Sequence, residues 1–135
     1  QYKFNGVFDG NEHNVDYLYS AKKYNACSGL FGSIGAHGVV KNVSVGPHCN
    51  FNGVAFVGAI AGINEGYIEN CTAIADSFAI HGYVGGLVGY NDLNGHISNC
   101  KLSCNSKVTC EYIKYKPYNI FVGRNAGTIK NCKVF

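Results

Sequence analysis

Short bursts of alternating apolar and polar residues fill this chain, and Asn and Gly cut each burst off within a few positions. The run Gly38-Val39-Val40-Lys41-Asn42-Val43-Ser44-Val45 concentrates β-branched bulk at Val39, Val40, Val43 and Val45. Across residues 67–74, a period of two puts Ile68, Asn70, Thr72 and Ile74 on one face and Tyr67, Glu69, Cys71 and Ala73 on the other. Side chains alternate in this way on a strand. An amphipathic helix needs apolar residues every three to four positions, and no stretch here supplies them. The pattern predicts many short strands joined by Asn- and Gly-bearing turns.

The bursts recur. Gly29-Leu30-Phe31-Gly32, Ala59-Ile60-Ala61-Gly62, Gly86-Leu87-Val88-Gly89 and Ile120-Phe121-Val122-Gly123 each end in Gly, and each precedes a turn and a strand bearing Asn42, Asn70, Asn99 or Asn131. These asparagines are spaced 28, 29 and 32 residues apart. A unit of that size cannot bury its own apolar face, but units stacked about 4.8 Å apart make a continuous core and pair every strand with the next. The chain is therefore expected to be one all-β domain over Gln1–Phe135, a β-solenoid of about four to five coils. The repeats fall near residues 29–45, 58–74, 85–102 and 119–135, after an N-terminal coil over 1–28. Gly32, Gly62, Gly89 and Gly123 should occupy one corner of each coil, where a positive φ or close backbone approach leaves no room for a Cβ.

These residues resemble a known family. Gly29-Leu30-Phe31-Gly32 and Gly86-Leu87-Val88-Gly89-Tyr90-Asn91, each followed by the Asn-bearing strand, look like the GLUG repeat. The stretch from Phe4 to Val15 resembles the segment that commonly precedes such repeats. The resemblance runs over roughly residues 4 to 135. It implies a right-handed parallel β-helix within secreted or surface-anchored proteins, adhesins among them, and it implies no activity. Ala59 to Gly62 lacks the motif's Leu, and the chain is short for the family.

Several constellations are candidates for chemistry. Asn42, Asn70, Asn99 and Asn131 should form a column whose amides hydrogen-bond from coil to coil. Asn42-Val43-Ser44 and Asn70-Cys71-Thr72 are also formal glycosylation sequons, hidden if that column faces the core. Cys71, Cys100 and Cys132 follow the column and should stack, within reach of a bond between neighbouring rungs or simply packed as small apolar groups. Cys104 and Cys110 are close enough in sequence to staple one loop, and Cys27 and Cys49 have no assignable partner. No Cys-x2-Cys pair points to a metal, and no cofactor is expected. Tyr112, Lys114, Tyr115, Lys116 and Tyr118 alternate an aromatic with a basic face and are interface candidates, as are Val134 and Phe135 at the C-terminal strand. Tyr17, Tyr19 and Tyr24 with Lys22 and Lys23 form a similar patch. His37 and His96 are read as equivalent solvent-facing corners.

Composition narrows the function. The formal charge is +3 from 11 basic and 8 acidic residues, scattered instead of clustered, which argues against nucleic-acid binding. No apolar run is long enough for a membrane helix. Seven cysteines lean towards an oxidising, extracellular location, and the absence of Met leads us to expect a mature or excised chain. The acids do not group into a catalytic pair, so no enzyme is expected. The expected function is that of an extracellular structural subunit, a β-solenoid adding end to end onto copies of itself into a filament or surface fibre. The alternatives are an adhesin segment that binds a glycan or host surface, and a β-helix carbohydrate-active enzyme.

Overall fold

The structure, a computed structural model, describes residues 2–20, 25–111 and 121–135. Among them every element is a strand, and every strand pairing is parallel. The chain winds as a β-solenoid of about four turns, and each turn visits the same sheets in the same order. One sheet stacks Cys27–Ser28, Phe56–Val57 and Tyr83–Val84. The next stacks Phe31–Ile34, Ala61–Asn64, Val88–Asn91 and Val122–Asn125. A third runs from Val7–Val15 through Val39–Val45 to Thr128–Lys130 and Lys133–Val134, and a fourth joins Asn50–Gly53, Asp76–Ala79 and Val108–Cys110.

Inward side chains of successive coils stack in columns. Val40, Ile68, Ile97 and Ile129 form one, and Val45, Ala73, Leu102 and Val134 another. Ile34, Ile60, Ile68, Leu87, Ile97 and Leu102 are fully buried, each side chain contributing about 1.5–3 kcal/mol through removal from water.

The simple alternation expected over residues 67–74 does not hold. Ile68, Cys71 and Ala73 all point into the core, while Tyr67, Glu69 and Asn70 face out. The cause is Asn70, whose φ is 50°, in the left-handed region; Asn42, Asn99 and Asn131 share it at 58°, 54° and 56°. One left-handed residue turns the chain and shifts the in–out phase by one. Asn tolerates that conformation better than other non-glycine residues, which explains why this residue recurs at the corner.

The glycines expected at a corner stack as Gly32, Gly62, Gly89 and Gly123, the column between Phe31–Ala61–Val88–Val122 and Ser33–Ile63–Tyr90–Arg124. At Gly62, Gly89 and Gly123 the requirement is close approach, not positive φ, whereas a Cβ on Gly32 would find nothing nearer than 3.9 Å. A Cβ on Gly89 would come 2.6 Å from the Val57 nitrogen, and one on Gly123 2.7 Å from the Gly89 carbonyl oxygen.

The N-terminal coil lies over the second one. Phe4 bridges to Ile34, Val7–Val15 pairs with Val39–Val45, and Tyr19 bridges to Asn50. The pairing slips between Asp9 and His13, where Asn11 and Glu12 take left-handed conformations and three residues oppose Asn42 alone.

Candidate binding groove

Two outward columns face each other where adjacent sheets meet. Cys27, Phe56 and Tyr83 make one wall, and Ser33, Ile63, Tyr90 and Arg124 make the other. The glycine column forms the floor, and at Gly62, Gly89 and Gly123 a Cβ would collide with neighbouring backbone. The rings are close: Phe56 to Tyr83 6.0 Å, Phe56 to Tyr90 6.2 Å, Tyr83 to Tyr90 6.0 Å between centroids. The Arg124 guanidinium lies 5.5 Å from the Tyr83 centroid and 5.9 Å from that of Tyr90, and donates one hydrogen bond to the Tyr83 hydroxyl at 2.9 Å. That bond, and the nearby ring oxygens, raise the already high pKa of Arg124. At the other end the groove opens into a cleft of about 660 Å³, bordered by Tyr2, Lys3, Asn25, Phe31, Cys27 and Ser33. Lys3 is held by Glu65, at 2.9 Å.

The aromatic and cationic members of this groove escaped the sequence reading. The available signal was the alignment of Phe56-Val57-Gly58 with Tyr83-Val84-Gly85, and of Ile63, Tyr90 and Arg124 as the residues after each corner glycine.

The asparagines fall into two sets. Asn42, Asn70, Asn99 and Asn131 stand on the outside at the corner. Asn70 donates to Asn42 Oδ1 at 2.8 Å and to Glu12 Oε1 at 3.0 Å, and Asn42 donates to Asp9 Oδ1 at 3.0 Å. Both sequon asparagines thus lie on the surface and not in the core, Asn42 half-buried and Asn70 exposed. A second set, unforeseen from the sequence, is internal. Asn64 and Asn91 are fully buried, and Nδ2 of Asn64 donates to Asn91 Oδ1 at 2.9 Å, as Asn91 Nδ2 does to Asn125 Oδ1 at 2.8 Å. Asn64 and Asn125 each also close their own turn through the Gly66 or Gly127 amide. The Asn-x-Gly spacing at 64–66 and 125–127 carried that information.

None of the seven cysteines, all among the described residues, forms a disulfide. Cys71, Cys100 and Cys132 stack inward, each donating to the carbonyl two residues earlier, at 3.3, 3.2 and 3.5 Å. The thiols also touch one another. Contact with Cys100 lowers the Cys71 pKa. Cys100 is drawn down by Cys132 but pushed harder by Cys71 and burial, to about 12. Contact with Cys100, then burial, raises Cys132 further. Cys104 is exposed, and Cys110 turns its thiol to the Ile80 carbonyl at 3.7 Å. Cys49 is buried under Leu18 and Asp16, its pKa raised mainly by desolvation, and Cys27 lines the groove.

Val134 is half-buried and Phe135 53% exposed at the last coil. Tyr17 and Tyr19 are exposed, and Tyr17 stacks on His48 at 4.5 Å. Tyr112, Lys114, Tyr115, Lys116 and Tyr118, with Lys22, Lys23 and Tyr24, lie outside the described residues. His37 and His96 are not equivalent. His96 stacks beside Tyr67 and Thr128, after the glycine of its turn, whereas His37 precedes its glycine. Among the described residues no three His, Cys, Asp or Glu side chains converge to hold a metal, and no helix is long and apolar enough to cross a membrane.

Parallel coils, stacked amides and a glycine-floored corner define a β-solenoid repeat protein. One coil is similar to the GLUG motif: the model of that motif matches residues 80–109, from just before Tyr83 to the strand ending at Cys110. Over 103 residues, 76% of this chain, it is 29% identical to Halomucin of Haloquadratum walsbyi (strain DSM 16790 / HBSQ001). The matched part is 1% of that protein's length. No solved structure matches the chain.

Proposed function

We propose that this chain is a non-catalytic structural segment of an extracellular, surface-associated solenoid, and that it extends by docking the N-terminal coil of a second copy onto its last coil. The likeness to a stretch of a far longer protein and the repeat itself support a structural role. The observation that carries the docking is a match between the two coil faces. With the register of the fold continued, Ile129 meets Phe8, Val134 meets Val15, and Lys130 meets Asp9, because these residues already occupy common columns. The last coil, residues 121–135, carries Arg124, Lys130 and Lys133 and no acid, while residues 2–20 carry Asp9, Glu12 and Asp16 against Lys3. Opposite charges of this kind steer encounter and set register more than they add affinity. The contact is heterologous and non-closing, so it builds a fibre.

One position opposes this docking. Asn125 would meet Phe4, which offers no amide, leaving one Nδ2 hydrogen without its partner at a cost of about 1–3 kcal/mol. A coil bearing Asn there, from another GLUG segment, avoids the cost. Negative-stain microscopy of the native chain over a range of concentrations tests the self-docking. Filaments of solenoid width that disappear in Ile129→Lys and thin out in Lys130→Glu are expected, and isolated particles at every concentration would overturn it. A carbohydrate-active enzyme is disfavoured because neither groove wall carries a carboxylate, and glycoside hydrolysis uses a pair of them.

A further inference from the structure

The groove lies on the outside of the coils, and its wall residues recur from coil to coil. Its walls offer three half-buried rings, an exposed guanidinium and no carboxylate. Arg124 carries its charge with no carboxylate beside it. Lys3 has Glu65 and Asp16 has His48, but Arg124 has only an aromatic cradle and one phenol hydroxyl. With one nitrogen bonded to the Tyr83 hydroxyl and the rest of its donors uncommitted, this exposed guanidinium is the kind of group that takes a carboxylate through two parallel bonds.

We propose that this groove binds an acidic polysaccharide, a chain of uronic-acid sugars, with a carboxylate on Arg124 and the sugar rings laid along Tyr90, Tyr83 and Phe56 towards the cleft at Lys3 and Ser33. Sugars fit such walls because each ring has an apolar face of C–H groups that packs on an aromatic side chain, while its hydroxyls reach polar groups at the edge. Its wall residues repeat at the coil spacing of about 4.8 Å, which sets a regular row of contacts along the groove. The cleft of about 660 Å³ provides space for the chain's end. The absence of any acid from both walls removes the repulsion that a polyanion would otherwise meet, and the positive end at Arg124 fixes its direction.

Titration calorimetry with oligogalacturonate, and with a neutral cello-oligosaccharide of the same length, tests the proposal. Oligogalacturonate should bind at least tenfold more tightly than the neutral chain. Arg124→Gln and Tyr90→Ala should each weaken it by tenfold or more with the strand signal in circular dichroism unchanged. Lys101→Gln, which removes an exposed cation from another face, should change binding by less than twofold. Equal binding of both sugars, an equal loss in Lys101→Gln and Arg124→Gln, or no binding of oligogalacturonate would each overturn the assignment. The readout does not depend on filament formation, because Ile129→Lys, which blocks docking, leaves the groove intact and should bind as the parent does.

Discussion

Asn91 shows how much can rest on one side chain in this molecule. It accepts from Asn64 and donates to Asn125 in a fully buried position, so replacing it with a Leu of similar volume orphans a donor above and an acceptor below. Each orphaned group costs about 1–3 kcal/mol, and urea unfolding of Asn91→Leu should show a loss of about 2–5 kcal/mol. The importance of asparagine was legible in the repeat, but its division of labour was not. The spaced Asn42, Asn70, Asn99 and Asn131 hold a left-handed bend at the surface, where Asn70 donates to Asn42 of the neighbouring coil, and the buried amide ladder belongs to a different set. Period-two reasoning assumes uniform extended backbone, and a single left-handed residue defeats it. Asp16 is legible only in three dimensions. It ties the N-terminal coil to the second coil by accepting from the His48 side chain and from the His48 and Tyr17 amides, and the His48 bond foremost holds its carboxyl below the ordinary 3.8. A depressed folded-state value means that the tie stabilises above about pH 3.8 and is lost as the pH falls through the lower folded value. Melting temperature measured from pH 6 down to about pH 2 should fall, and Asp16→Asn should flatten the descent.

At the scale of elements, strand identity and coil period were readable because glycine and asparagine punctuate every turn. The meeting of sheets was not readable, since it depends on distances across the corner, within a coil as between Tyr83 and Tyr90 and between coils as between Phe56 and Tyr90. Glycines of one column differ sharply in this respect. A Cβ on Gly89 would press on the Val57 backbone nitrogen at 2.6 Å, whereas one on Gly32 finds nothing nearer than 3.9 Å. Gly89→Ala should therefore lower stability by about 1–3 kcal/mol through overpacking, and Gly32→Ala should lie within about 0.5 kcal/mol of the parent. Equal effects in thermal melts of the two variants would show that the corner does not demand glycine for reasons of space.

For the whole molecule, the fold class followed from four matched segments, but the groove and the charge contrast between the coil faces emerged only once the coils were in register. Because each coil touches only its neighbours, its stability is a sum of local terms. Under a pulling force applied along the surface the solenoid is expected to shed one coil at a time from an open end, each release yielding roughly 90–100 Å of slack for a unit of about 28 residues. A stalk made this way would behave less like a rod that snaps than like a tether that lengthens in steps and rewinds when the tension drops.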